Sequence, residues 1–337
     1  MNIEKSQTYS LFIGDNALQE IELSAYSKIA ILVDENTRQQ CLDVFLEKTT
    51  ISYDVLIEIP AGEQHKTISS CQHIWDELTD HNFDRKSILI NLGGGVIGDM
   101  GGFAASCYKR GIDFIHVPTT LLAMVDASVG GKIGIDYANL KNQIGLFNNP
   151  KGVYIFPAFL NTLAKEHLSS AYAEVVKHAL IKDVKMWKYL CSTKLEDVNW
   201  TEIITHSLSI KNEIVCSDPY EMGLRKILNF GHSIGHAIES YYLSIGKEIL
   251  HGEAVALGML LESQLSLCSQ EEKAEISHFL QSTFKLVERP HFNAIFPFLQ
   301  HDKKNENNEL KFSLLSEIGK CDYNCSVDVQ NIKALFD

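Results

Sequence analysis

Residues 91–102 read NLGGGVIGDMGG, and what this stretch becomes decides the fold of the first half of the chain. It continues an apolar, β-rich run, SILINL (87–92), and Gly93, Gly95 and Gly98 fit the spacing G-x-G-x-x-G. Glycine lets backbone amides approach a phosphate, and a helix beginning there adds partial positive charge at its N-terminus. Outward from the loop, KIAILV (28–33), YDVLIEI (53–59), FIHV (114–117) and GVYIF (152–156) alternate with helical patterns. That alternation predicts an α/β domain built on a parallel sheet. The loop follows at least two earlier strands, whereas the usual dinucleotide fingerprint opens the first βα unit.

The chain has 337 residues, enough for two domains, and its 45% hydrophobic and 22% charged residues are those of a globular protein. A formal charge of -13 argues against a nucleic-acid surface. No stretch reaches the roughly 18 consecutive apolar residues of a membrane span, and the first residues lack the order of a signal peptide. A cytoplasmic location is expected. Eight cysteines occur without a CxxC pair, which suits reduced thiols rather than a disulfide framework.

The second half carries helical periodicity, as in AYAEVVKHALI, EIITHSLSIKNEIV and EAVALGMLLESQLSL. Asn, Pro and Gly in NNPKG (148–152) interrupt the pattern, so the division falls near there. We read residues 1–157 as an α/β nucleotide-binding domain and 158–337 as an all-helical metal- and substrate-binding domain. Within the latter, Glu221, Arg225, Asn229, His232, His236 and Glu239 recur at intervals of three or four, a single stripe if the segment is one helix. Buried polar groups need partners, so the stripe calls for a ligand or ion.

Asp34, at the end of KIAILVD, is placed to accept from a ribose hydroxyl. Gly62, Glu63 and Lys66 in AGEQHK, with Thr119 and Thr120 in VPTT, belong to loops at strand ends and favour a bound nucleotide. His232 and His236 at i, i+4, His251 in ILHGEAV and Glu174 in AYAEVVKH supply two or three imidazoles and a carboxylate, a set that suits a catalytic divalent zinc. Lys132, Lys141, Asn142, Lys177, Lys211, Arg225, Lys303 and Lys304 recur beside these acids. In so acidic a protein they point to an anionic substrate bearing phosphate or carboxylate.

Taken in order, NLGGGVIGDMGGFAASCYKRG, VPTTLLAMVDASVGGKIGID, KNQIGLF, AEVVKH, LRKILNFGHSIGHAIE and LHGEAVALGM resemble the 3-dehydroquinate synthase family of sugar phosphate cyclases, over about residues 28–320. The resemblance implies an α/β NAD-binding domain followed by a helical one. It implies Glu174, His232 and His251 as ligands of Zn2+ or Co2+, with His236 turned to substrate. Asp126, Lys132, Lys141, Asn142, Lys177, Lys211, Arg225, Asn229, His236 and one of Lys303 and Lys304 match substrate-contacting positions, and Glu221 an acid supporting the same pocket. Arg110 matches a residue that reaches the neighbouring subunit's substrate, which implies a homodimer. The implied NAD contacts are Asp34, Asn36, Glu63, Lys66, Gly95, Val96, Ile97, Gly98, Asp99, Thr119, Thr120, Lys132, Lys141, Phe159 and Thr162.

The implied activity is that of a carbon-oxygen lyase of the shikimate pathway. A phosphorylated sugar acid, 3-deoxy-D-arabino-heptulosonate 7-phosphate, would be cyclised to 3-dehydroquinate with loss of phosphate, through transient oxidation by NAD, elimination, reduction and aldol closure. Two readings compete: another sugar phosphate cyclase, and a metal-dependent polyol or alcohol dehydrogenase of the same fold. The chain departs from the family pattern in TLAKEHLSSAYAE (162–174), with Ala164, Glu166-His167 and Ala171 where the family has a proline, an Arg-Glu pair and a glycine. It departs again at Pro219, which replaces a common acid.

Overall fold

The computed structural model describes all residues but 1, 7, 8, 139, 302–308 and 337. The chain divides into two units, one of residues 1–164 with 200–212, the other of residues 165–199 with 213–337. Relative to the sequence division at 157, residues 158–164 stay with the first unit. The N-terminal part of a long helix, 200–212, also joins it.

Among the described residues the first unit holds nine strands: β1 Asn2–Ser6, β2 Tyr9–Ile13, β3 Ile29–Asp34, β4 Val55–Ile59, β5 Ile88–Gly93, β6 Asp113–Pro118, β7 Lys132–Tyr137, β8 Leu140–Phe147 and β9 Gly152–Ile155. Seven make one sheet, ordered β1-β2-β9-β6-β5-β3-β4, in which only β1 runs antiparallel to its neighbour. The helices α1 Glu35–Gln40, α2 Leu42–Thr49, α3 Ile68–Asp80 and α4 Gly95–Cys107 connect them. Every residue of β5 is buried, which explains its unbroken apolar run. β3 leads to β4 on one side and β5 leads to β6 on the other, so the topology reverses between the adjacent strands β3 and β5. Ligands of open α/β sheets bind beyond the carboxyl ends of strands at such a reversal, and here those ends are Asp34 and Gly93.

The five strands read from sequence are all present. The hairpin β7–β8 and the strands β1 and β2 are not among the strands read from sequence: β7 and β8 are interrupted by glycine, β8 is largely exposed, and β2 is only five residues long.

The remaining helices are α5 Lys165–Lys182, α6 Val184–Ser192, α7 Trp200–Ser217, α8 His232–Ser244, α9 His251–Leu265, α10 Gln270–Thr283, α11 Phe292–His301 and α12 Val329–Lys333. All but the first part of α7 belong to the second unit. That unit is helical with one addition, the antiparallel hairpin β10 Glu309–Glu317 and β11 Lys320–Asp328. Burial in α5 is nearly complete over Ser170–Ile181, and in α9 over Ala254–Ser263, so these are core helices rather than amphipathic surface ones.

The continuous helical stripe expected over 221–239 does not form. Glu221 has φ +58°, residues Leu224–Asn229 form a 3-10 turn, and Gly231 at φ +79° separates that turn from α8. A Cβ at Gly231 would lie 2.3 Å from Met259 Cγ, so the break lets α9 approach closely.

Candidate active site

In the first unit the glycine loop becomes the start of α4. Its N-cap is Gly94, which has no capping side chain, so the first amides of α4 are presented by backbone alone. Gly93 carbonyl accepts from Thr119 N at 3.0 Å, which ties the VPTT loop to the glycine loop, and Thr120 Oγ1 accepts from Ala123 N at 3.2 Å just beyond it. Gly93, Gly94, Gly95, Gly98 and His116 line a small pocket at this loop. Gly95, Val96, Ile97, Gly98 and Asp99 form the first turns of α4.

Lys66 is 3% exposed and donates to Asp99 Oδ2 and Asn142 Oδ1, both at 2.6 Å. Burial works against its charge, but Asp99, Glu63 and Asp136 outweigh it and raise its pKa. Lys141 lies 4.0 Å from Glu63. Lys132 opens β7 and is exposed. Asp34 caps α1 through a 2.7 Å bond from Thr37 N, with the exposed Asn36 beside it. Phe159 and Thr162 lie in a 3-10 turn, Pro157–Thr162, just before the altered segment 162–174, where Phe159 packs edge-on against Phe156. The Ala164, Glu166, His167 and Ala171 departures leave a regular helix, α5, beginning at Lys165.

Asp126 lies in a π-turn, where its Oδ1 and its carbonyl accept from Lys211 Nζ at 2.7 and 2.6 Å. Arg110 and Lys109 are exposed, at φ +69° and +50°. With Asn142 at φ +53° and Glu221 at φ +58°, three of the candidate residues occupy left-handed backbone. Such a conformation is uncommon outside glycine and concentrates at functional sites.

The second unit assembles the candidate metal ligands. Glu174, on α5, is 1% exposed, and neither of its oxygens receives a hydrogen bond of acceptable geometry among the described residues. His232 Nε2 lies 3.2 Å and His251 Nε2 3.7 Å from its Oε1, while the ammonium of Lys177, 2% exposed, pairs with Oε2. The Nδ1 atoms of both rings face acceptors, Phe230 O at 3.2 Å for His232 and Glu239 Oε2 at 3.4 Å for His251. An Nδ1–H donated to these acceptors would leave each Nε2 lone pair facing Glu174 once the proton there is displaced, the arrangement that supporting acceptors give to metal-bound histidine.

Burial pushes the Glu174 carboxyl up, but the charges of Lys177 and His232 outweigh it and hold it well below the usual range. His251 is pushed the other way by Glu174 and Glu239, up to about 10 against the effect of burial. Both shifts report a site that demands positive charge, and a divalent ion satisfies that demand in place of a proton. Two imidazoles and a carboxylate with unbonded oxygens fit Zn2+ or Co2+.

His236 joins the same cluster, its ring centroid 5.2 Å from that of His232 and 5.8 Å from that of His251. The ring nitrogens of the three histidines fall within 4.8 Å of one another. Arg225, 3% exposed, donates to the Pro219 carbonyl at 2.6 Å, and its amide is one of three that bind the Asp218 carboxylate. Asn229 donates to Glu221 Oε1 at 2.8 Å. Lys303 and Lys304 lie outside the described residues.

Sequence reading missed the Asn91–His116 contact of 3.3 Å beneath the glycine loop and the role of Glu239 behind His251. The i, i+3 and i+4 spacing contained Glu239 but could not say which way it turned. All eight cysteines are free thiols, as their spacing predicts.

Known proteins resemble the chain along nearly its whole length. A family profile described as 3-dehydroquinate synthase N-terminal matches residues 56–170, and one described as 3-dehydroquinate synthase C-terminal matches residues 171–305. The 3-dehydroquinate synthase of Nitratiruptor sp. is 42% identical over 329 residues, covering 94% of this chain and 90% of that protein. That of Parabacteroides distasonis is 37% identical over 321 residues, covering 93% and 91%. Among solved structures, 2-epi-5-epi-valiolone synthase from Streptomyces hygroscopicus, with NAD+ and Zn2+ bound, superposes with a TM-score of 0.84 at 26% identity, covering 99% of this chain and 97% of that one. The glycine loop at the sheet's reversal, the imidazole and carboxylate cluster, and matches along nearly the whole length together make the chain a member of the 3-dehydroquinate synthase family.

Proposed function

We propose that the chain is a 3-dehydroquinate synthase, a lyase that converts 3-deoxy-D-arabino-heptulosonate 7-phosphate to 3-dehydroquinate and inorganic phosphate in the shikimate pathway. The observation that carries the reading is the buried Glu174 carboxylate faced by the Nε2 atoms of His232 and His251. When bound, NAD accepts a hydride and returns it, and the divalent ion polarises substrate oxygens.

The chain's own residues supply the rest. Glu174, His232 and His251 hold the ion. The bare start of α4, with Lys66, Asp99, Thr119, Thr120 and Asp34 around it, holds the nucleotide. For the anionic groups of the substrate the first unit offers Lys132 and Lys211 and the second Lys177 and Arg225; for its hydroxyls the first offers Asp126 and Asn142 and the second Asn229 and His236. Glu221 fixes the Asn229 amide. Holding the open chain in one conformer makes the final carbon-carbon closure effectively unimolecular. The reading also includes a homodimer, in which Arg110 serves the neighbouring subunit, and a cytoplasmic location. No described helix is long and apolar enough to cross a membrane.

The test is a phosphate-release assay across several sugar phosphates, with and without NAD and chelator. One phosphate per heptulosonate phosphate is expected, without net NADH, and with loss of turnover on chelation. Stoichiometric NADH would favour the dehydrogenase reading. Preference for another sugar phosphate would favour a different cyclase.

A further inference from the structure

Two of the helices that carry candidate ligands, α8 and α9, begin with amides that are bound by side chains of another helix. A helix start leaves its first amides without partners, and burying them unpaired is costly. At α8 the N-cap is Gly231, which has no side chain to offer. The acceptors come from α9 instead. Gly231 N donates to Glu262 Oε2 at 2.7 Å and Ile234 N to Glu262 Oε1 at 2.9 Å, and Glu262 is 0% exposed.

The packing explains why the cap is supplied from another helix. A Cβ on Gly258 of α9 would stand 1.9 Å from the Gly231 carbonyl, and one on Gly235 of α8 would stand 3.1 Å from the Ala254 carbonyl. The two backbones therefore touch. Glu262, one turn beyond Gly258 on the same face, falls against the exposed amides of α8. A similar bond serves α9: Gly252 N, next to His251, donates to the buried Ser170 Oγ at 2.9 Å, and Ser170 lies one turn before Glu174 on α5.

We infer that Glu262 is a positioning residue for the metal site: by accepting two backbone amides it fixes where α8 begins, and with it the direction of His232 relative to His251 on Glu262's own helix. Ser170 completes the linkage from α5 to α9. In this role Glu262 acts through the helix start, by the two amide bonds to Gly231 and Ile234. This rests on the metal reading given above.

The experiment measures Zn2+ affinity of the full chain by chelator competition, the visible absorption of the Co2+-loaded protein, NAD affinity and Tm. Glu262→Gln keeps the shape but turns one acceptor into a donor facing an amide. It is expected to weaken Zn2+ binding about 10- to 100-fold, as loss of a supporting partner does. The cobalt spectrum should change and NAD affinity should not. Glu262→Asp, which keeps the charge with less reach, should fall between the two and decides the matter if the Gln variant does not fold. Leu280→Ala on α10, a fully buried apolar site, should lower Tm and leave Zn2+ affinity alone. Folded Glu262 variants with unchanged Zn2+ affinity and cobalt spectrum overturn the inference, as does an equal loss of affinity in Leu280→Ala. If the unaltered protein binds no Zn2+, the metal reading fails and takes this inference with it.

Discussion

The two units build their sites from different materials. In the first, the candidate nucleotide surface is mostly backbone: three glycines, a helix start without a capping side chain, and strand ends at a topological reversal. In the second it is side chains, a carboxylate and three imidazoles from three helices, with Lys177 and Glu239 behind them. A backbone site is specified by what is missing, since glycine removes atoms. A side-chain site is specified by what is present, and it carries buried charge that must be matched. The first therefore fails when atoms are added, and the second when they are taken away.

The largest effect should come from the second kind of site. Glu174→Ala is expected to reduce phosphate release by at least about 10³-fold, since it removes a ligand that the proposed chemistry requires. It also leaves Lys177 buried without its acid, at a cost on the order of 3–5 kcal/mol, which chemical denaturation will read. NAD affinity, belonging to the other unit, should stay near its original value, and a parallel collapse would show that the two sites are not separable.

Next is Lys66→Ala, which removes the ammonium held by Asp99 and Asn142. NAD affinity should fall about 10- to 100-fold, equivalent to the roughly 1.5–3 kcal/mol of one charged hydrogen bond, with Zn2+ affinity untouched. Calorimetric titration of each ligand separates the two.

Adding a single methyl should then test the backbone rule. A Cβ on Gly101 would stand 2.0 Å from Asn91 Oδ1 and 2.7 Å from Leu32 Cδ2. Gly101→Ala is expected to destabilise the protein by about 1–3 kcal/mol through overpacking, and Asn91→Ala in the same chain should recover part of that. No recovery would mean that Leu32, not Asn91, sets the limit.

The smallest effect at neutral pH, where it nearly vanishes, concerns His116. Burial lowers its pKa from 6.5 to about 4. The unfolded chain then binds more protons between those values, so stability falls as pH drops from about 6.5 towards 4, by at most about 1.4 kcal/mol per pH unit from this group. His116→Gln should flatten that part of the stability profile; an unchanged slope would mean that other groups dominate there.

The sheet was legible because buried parallel strands are continuous apolar runs, and β5 with its glycine loop is read without any tertiary information. The hairpin β7–β8 was not, since its exposed residues and glycines carry no such run. For the metal site, the residue types and spacing pointed to His232, His236, His251 and Glu174, and the structure brings all four together. The reading of Glu221, Arg225, Asn229, His232, His236 and Glu239 as one helical stripe was wrong in part, since the helix begins only at His232. The 3.6-residue period is satisfied equally by a 3-10 turn, a left-handed glycine and a new helix, when α9 presses against that glycine. The role of Asp218, which gathers three backbone amides beneath Arg225, had no periodic signal at all.

The first unit closes only with residues 200–212, which follow two helices of the second. During synthesis, a nascent chain that has emerged as far as Ala164 already holds every strand of the seven-stranded sheet, but not Lys211, the cation that Asp126 binds. The ribosome thus delivers the scaffold before the last of its charged partners. A gene split at 164/165 would have to return Trp200–Asn212 from the second fragment before Asp126 regained its counterion.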